Sequence, residues 1–161
     1  MRRIILIGCG KTKRDGRHPA ADLYCGSLYR QRLAYAMREI ARSPGTEYAI
    51  LSARHGLVRP DVLLDRYEHT MGMWSCLDRI AWMVGVVRQL CEHIDNDLLD
   101  WSDIRAIHLE IHAGADYADP LAKVLREVGF AASWPVEGLS QGHQMRWYAD
   151  RLGPVVTGDV A

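Results

Sequence analysis

Cys9 and Lys13 stand four residues apart in "IILIGCGKTK", where an apolar run from Ile4 ends in Gly8-Cys9-Gly10 and two of the chain's three lysines, Lys11 and Lys13, follow at once. The thiolate is the nucleophilic form of cysteine, and positive charge nearby stabilises it. Cys9 in this setting can attack an electrophilic carbon; the plain alternative is a small buried cysteine at a strand end. The segment also has a superficial phosphate-loop look. A P-loop needs GxxxxGK followed by Ser or Thr, and after Gly8 the second glycine arrives too early. No apolar strand ending in a carboxylate supplies a Walker B partner, so ATP hydrolysis of that type is disfavoured.

Three further segments carry concentrated polar chemistry. In "LSARHGLVRP", Ser52 and His55 lie at a strand end, and Gly56 permits a backbone turn that a β-carbon would resist. His55 titrates near neutrality and suits general acid or base work, although a loop histidine is also a common surface residue. In "HAGADY", Gly114 precedes a helix that Asp116 is expected to cap, and helix N-terminal amides bind anions. His112 either contacts a ligand or satisfies a hydrogen bond at the strand end, and Tyr117 closes the segment. In "EGLSQGHQMRWY", Glu137, Gln141, His143, Gln144 and Trp147 bring together carboxylate, amides, imidazole and an aromatic face, a set suited to reading and stacking a base. The alternative is an amphipathic terminal helix, which for Trp147 is preferred.

These segments need elements to position them. Ile4 to Ile7 is a continuous aliphatic run, the signature of a buried strand in a parallel sheet. "SLYRQRLAYAMREIAR" has helical spacing, with Ser27 as the expected N-cap and Ser43-Pro44-Gly45 as the stop. Tyr48 to Leu51 forms a second strand, and residues 53–70 show no period and read as a long loop. "WSCLDRIAWMVGVVRQLCEHI" is helical again. "IRAIHLEI", Ile104 to Ile111, supplies a third strand, "DYADPLAKVLREVG" a helix stopped by Gly129, "FAASWPVEG" a short fourth strand and "SQGHQMRWYADRL" a last helix. The charged faces of "RQRLAYAMREIAR", "VLREVG" and "YADRL" read as solvated surface. The order predicts a single domain over 1–155, a three-layer α/β/α sandwich with a mostly parallel sheet, and a frayed tail over 156–161. Ligands of such sheets bind beyond the carboxyl ends of the strands, where all four polar segments fall.

Composition narrows the function classes. At 161 residues, 48% hydrophobic and 25% charged, the chain is long enough for one well-buried core. A formal net charge of zero argues against a strongly basic nucleic-acid-coating protein, while leaving room for a local basic patch. Cys9, Cys25, Cys76 and Cys91 show no CxxC spacing and no metal-like pairing with histidine, so a reduced, cytoplasmic protein without metal or cofactor is expected. No apolar stretch approaches the roughly 20 residues of a membrane span, and the run after Arg2 and Arg3 is too short for a signal peptide.

Taken together, the strand ending CxxxK at Cys9 to Lys13, "ADLYCGSLY" at Ala21 to Tyr29, "ILSARHGLVRPD" at Ile50 to Asp61 with Tyr67 beyond, and "EGLSQGHQMRWY" resemble the DUF6884 family of bacterial and phage proteins. The CxxxK pair and the GLVRP turn are also similar to the core domain of archaeosine synthase, which attaches lysine to a nitrile-bearing 7-deazaguanine in transfer RNA. The resemblance implies a site gathering Cys9, Lys13, Ser52, His55, Gly56, Tyr67, His112 and Glu137. Two departures stand out: Gly10 replaces the family's usual serine, and His55 occupies a position where an aromatic residue is also usual.

The resulting expectation is an enzyme of transferase or hydrolase type acting on a nucleobase, nucleoside or nucleic-acid base. Cys9 would be the nucleophile, Lys13 would stabilise an anion, and His55 or Glu137 would move the proton. Ser52, Gly56, Tyr67, His112, Gly114, Tyr117, Gln141 and Gln144 would position the substrate. The rival expectation is a non-catalytic nucleotide- or nucleic-acid-binding module in which Lys11, Lys13 and Arg54 hold phosphate. A third is a glycosidic or phosphoryl-transfer enzyme independent of Cys9. A homodimer is an allowed assembly, and no membrane partner is expected.

Overall fold

In the computed structural model, which describes residues 2–69, 71–95 and 101–153, the apolar run at the N-terminus becomes the central strand of the molecule. Strand β1 (Arg2–Gly8) lies between β3 (Thr46–Ser52) and β6 (Ile107–His112), parallel to both. Strand β7 (Ala131–Ser133) adds in parallel beyond β6, and β4 (Gly56–Val58) folds back antiparallel on β3, giving the order β4-β3-β1-β6-β7. Burial on both faces explains why β1 is aliphatic at every position from Ile4 to Ile7.

The pleat divides these side chains between two cores. Ile4 and Leu6 join Leu109 and Ile111 beneath α3 (Cys76–Asp95) and α4 (Ala115–Val128), which contribute Trp82, Val86, Leu90, Leu121 and Leu125. Ile5 and Ile7 point to the opposite face, against Tyr29, Tyr35 and Ala36 of α2 (Ser27–Arg42) and Tyr148 of α5 (Gln141–Leu152). The result is the expected three-layer α/β/α sandwich in one domain. Burying one aliphatic side chain contributes about 1.5–3 kcal/mol, so β1 anchors both cores.

Four local expectations are corrected. Residues 53–70 are not all loop: they hold β4 and β5 (Leu63–Asp65), and β5 pairs antiparallel with β2 (Arg17–Pro19), which leads into the short α1 (Ala20–Leu23). Three-residue strands are too short to show a period. Helix α2 is capped by Gly26 rather than Ser27. Helix α4 starts from Gly114, whose carbonyl accepts from Ala118 N at 2.9 Å, so Asp116 lies inside the first turn, where its charge suits the helix dipole. The third strand begins at Ile107 rather than Ile104, because residues 101–106 form a 3-10 turn before β6. Gly129 stops α4 as expected, with φ of 112°. The expected tail over 156–161 lies outside the described residues.

Connectivity places a crevice. The chain leaves β1 through α2 to reach β3 on one side, then crosses through α3 on the other face to β6 on the far side of β1. The direction of winding therefore reverses between β1 and β6, the position at which open α/β sheets bind ligands. The segment after β1 begins with Cys9.

Candidate functional site

The β1 ladder continues one residue past the strand, because Cys9 N donates to Leu51 O at 2.9 Å. This bond pins Cys9 at the carboxyl end of β1 beside β3. Its Sγ lies 3.8 Å from the Tyr117 hydroxyl in the first turn of α4. Cys9 and Tyr117 thus face each other across the point where the winding reverses.

Lys13 is fixed by the backbone that follows. It forms an isolated antiparallel bridge with Tyr24, flanked by Arg14 N donating to Leu23 O at 2.8 Å and Cys25 N to Thr12 O at 3.0 Å. The residue is only 8% exposed. Its ammonium donates to Lys11 O at 3.3 Å and sits 4.5 Å from the Tyr67 ring centre and 5.9 Å from that of Tyr24. Cation–π attraction of this kind strengthens as water is excluded.

The two rings that hold the ammonium are also joined through their hydroxyls. Tyr67 Oη lies 2.7 Å from Tyr24 Oη and 2.7 Å from Ser52 Oγ, and Ser52 Oγ accepts from His55 N at 3.1 Å. Ser52 sits at the end of β3, with its carbonyl taking the Trp82 indole N–H at 2.9 Å. The His55 ring packs edge-on to Tyr67 at 5.1 Å, and the Arg54 guanidinium lies 5.8 Å from the same ring. Gly56 starts β4 with φ of +72°, and a Cβ there would lie 2.2 Å from Gln89 Oε1. That carbonyl oxygen accepts Leu57 N at 2.7 Å while Gln89 Nε2 donates to His55 O at 3.0 Å, so α3 clasps the turn carrying His55.

Electrostatics keep the hydroxyls in their proton-bearing form. Burial pushes Tyr67, Tyr24 and Tyr117 above the ordinary phenol value, and proximity to Cys9 adds to the effect at each. Burial, with the charge of Arg54 and His69, lowers His55, which is therefore a neutral imidazole at pH 7 and able to accept a proton. A thiol, a cation, phenolic hydroxyls and an imidazole are thereby linked through Tyr117 and Tyr67 at the carboxyl ends of β1 and β3.

His112 and Gln144 are placed differently. His112 is fully buried on the α2 and α5 face, with Nε2 2.7 Å from Glu110 Oε1 and Nδ1 2.7 Å from Tyr148 Oη. Burial alone would raise the Glu110 carboxyl, but hydrogen bonds from His112, Arg3 and Tyr35 outweigh it and hold it at about 2. Burial lowers His112 despite Glu110, so its ring is neutral: Nε2–H donates to the carboxylate and Nδ1 accepts from Tyr148. Gln144 is buried between Arg32 Nη2, which donates to its Oε1 at 3.0 Å, and Leu139 O, which accepts from its Nε2 at 2.9 Å. Both residues belong to the scaffold behind the Gly8–Cys9 turn.

Glu137 and Gln141 are exposed. Glu137 lines a cleft with Arg79, Asp116 and Trp134 beside the first turn of α4. Gly114 has open space where a Cβ would project. Among the described residues no three His, Cys, Asp or Glu side chains are grouped as a metal site.

Three residues of this region escape a sequence reading. Tyr24 lies inside "ADLYCGSLY", but only the fold shows that its phenol meets Tyr67. Arg32 and Tyr148, read as part of solvated helix faces, are buried against the sheet instead; a charged residue in a helix pattern gives no sign that its helix turns that side inward.

The order of these motifs is shared with other proteins. Residues 4–150 match a family described as a family of unknown function, DUF6884. The chain belongs to the DUF6884 family. Over 74 residues, 45% of this DUF6884 chain, it is 35% identical to the uncharacterized protein YfjM of Bacillus subtilis (strain 168), and the match spans 49% of that protein. This chain thus aligns with about half the length of that relative. No solved structure matches.

Proposed function

We propose that this DUF6884 protein is an enzyme of transferase or hydrolase type that modifies a nucleobase, nucleoside or nucleic-acid base through Cys9. One observation carries the reading: Cys9 stands at the winding reversal of the sheet, 3.8 Å from a phenol held in its proton-bearing form, with Lys13 and the Tyr24-Tyr67-Ser52 hydroxyl chain around the same crevice. The similarity to the core domain of archaeosine synthase suggests a nitrile-bearing base. The Cys9 sulfur would add to the nitrile carbon, forming a C–S bond and breaking one C–N π bond, while the nitrogen takes a proton. Tyr117 is the nearest phenol to supply it. An amine, or water, would then add to the same carbon and Cys9 would leave with its proton returned, giving an amidine or an amide. His55 would move the proton of the incoming group; Tyr67, held from behind by the buried Ser52, would border the substrate with Gly114 and Gln141.

Incubation with a nitrile-bearing 7-deazaguanine, supplied both as the free base and as its nucleoside monophosphate, followed by intact-mass measurement, tests this. The expected product with at least one of them is an adduct equal in mass to protein plus the compound added, absent in Cys9→Ser and discharged by an added primary amine. A wild-type protein that forms no adduct, with or without amine trapping, and whose turnover of any identified substrate survives Cys9→Ser, would remove the covalent reading. It would leave the non-catalytic nucleotide-binding module in its place.

A further inference from the structure

Arg32 is a cation whose environment does not account for its charge. It rises from α2 toward the carboxyl end of β1 and is 5% exposed. Nη2 donates to the neutral Gln144 Oε1 at 3.0 Å, Nη1 reaches Gly8 O at 3.5 Å, and the buried Nε has no hydrogen-bond partner. Burial works against its charge, and the neighbouring Tyr148, a phenol that burial pushes up to about 12, favours it. Of the carboxylates on this face, Glu39 and Glu110 are both taken by Arg3, at 2.9 and 2.6 Å. Among the described residues no carboxylate forms an ion pair with Arg32, and the same is true of Lys13. A buried charge without a counter-charge costs several kcal/mol, and two of them flanking one turn are retained at that cost.

We propose that Lys13 and Arg32 make the Cys9 crevice a site for an anionic substrate, so that the base it works on is presented as a phosphate-bearing nucleotide or nucleic acid rather than as a free base. The inference rests on the crevice reading above and adds its charge requirement. Lys13, at the crevice, is the group that meets the phosphate. Arg32 is a positioning residue: it acts through Gly8 O and through its field, which low-dielectric surroundings transmit to the Cys9 turn. Its place under Gly8 is tightly defined, because a Cβ on Gly8 would lie 3.2 Å from Nη1 and 2.9 Å from Ala113 Cβ.

The test compares alkylation of the intact protein by iodoacetate, which is anionic, and iodoacetamide, which is neutral, read at Cys9 by peptide mass and referred to the exposed Cys76. The expected iodoacetate preference at Cys9 is roughly tenfold above that at Cys76 at low salt, shrinking as salt is added. It falls in Lys13→Gln and in Arg32→Gln and is retained in Arg32→Lys, each variant first shown to be folded by circular dichroism. A preference equal to that of Cys76, or one unmoved in the folded variants, overturns the proposal. In parallel, inorganic phosphate is expected to raise Tm above chloride of equal ionic strength in wild type but not in Lys13→Gln. Should Cys9 react with neither reagent, the nucleophile reading fails and the Tm comparison decides the anion site alone: no rise with phosphate overturns it.

Discussion

Ser52 Oγ and Tyr67 Oη lie 2.7 Å apart across 15 residues of chain, and that bond ties the carboxyl end of β3 to the segment that roofs Lys13. It is one link in a chain of hydroxyls running from Tyr24 to the His55 amide.

Tyr67→Phe keeps the ring under the Lys13 ammonium but strands Tyr24 Oη and weakens the hydrogen bonding of Ser52. An expected loss of about 1–3 kcal/mol follows from leaving buried polar groups unpaired. Ser52→Ala is expected to cost a similar amount, since it also deprives His55 N of its acceptor. Because the two share a bond, urea unfolding of the double variant should show a loss smaller than the sum by at least about 0.5 kcal/mol; strict additivity would dissolve the network.

Acid unfolding should follow the Glu110–His112 pair. The Glu110 carboxyl is held at about 2 in the folded chain against an ordinary 4.5, so its contribution is complete above pH 4.5 and is lost as pH falls toward 2. His112 is lowered from an ordinary 6.5, so the unfolded chain binds its proton first and stability starts to fall as pH drops below 6.5. Glu110→Gln breaks a buried pair and is expected to cost about 3 kcal/mol at pH 7, with the gap to wild type closing toward pH 2. Denaturant midpoints measured across pH give both signs.

At Gly56, two separate penalties can be resolved. Gly56→Ala places a Cβ 2.2 Å from Gln89 Oε1 and asks a side-chain-bearing residue to adopt φ of +72°. A loss of roughly 2 kcal/mol or more is expected. In a Gln89→Ala background the clash is gone and only the backbone cost of about 1 kcal/mol should remain. Equal losses in both backgrounds would mean that Gln89 swings away freely.

Tyr117→Phe is the counterpart at the crevice. The partner of its hydroxyl is Cys9 Sγ, so global stability should move by less than about 1 kcal/mol. Iodoacetamide alkylation of Cys9 at pH 7 should slow by roughly two- to tenfold, the kinetic equivalent of one lost hydrogen bond to the sulfur. An unchanged rate would show that the 3.8 Å approach does not act on the thiol.

Long periodic segments were legible in the chain itself. Ile4–Ile7 reads as a buried strand because both its faces meet helices, and α2, α3, α4 and α5 carry spacings long enough to declare their type. The three-residue strands β4 and β5 were not legible, since no period fits in three residues and their pairing depends on Gln89 and on β2 rather than on local preference. Cys9, Lys13, Ser52, His55 and Tyr67 were legible as a set because each lies at or soon after a strand end, and the fold places Lys13, Ser52 and His55 around Tyr67. Glu137 and Gln141 fall in the same stretch of sequence as Gln144, yet they are exposed while Gln144 is buried. Helix α5 decides this for Gln141 and Gln144 by which side it turns to the sheet, while Glu137 lies in the turn before it.

The sequence by itself determined the α/β order, the aliphatic central strand and the residue types available at the strand ends, because these follow from local spacing and from what a buried strand must be made of. Tertiary structure alone decided which of those residues share a crevice and which stand behind it. His112 and Arg32 look like site and surface respectively when read along the chain. Packing of α2 and α5 on β6 and β1 makes one a neutral imidazole clamped between Glu110 and Tyr148, and the other a buried cation beneath the turn that presents Cys9. Burial and counter-charge depend on neighbours far away in sequence, and no local pattern records them.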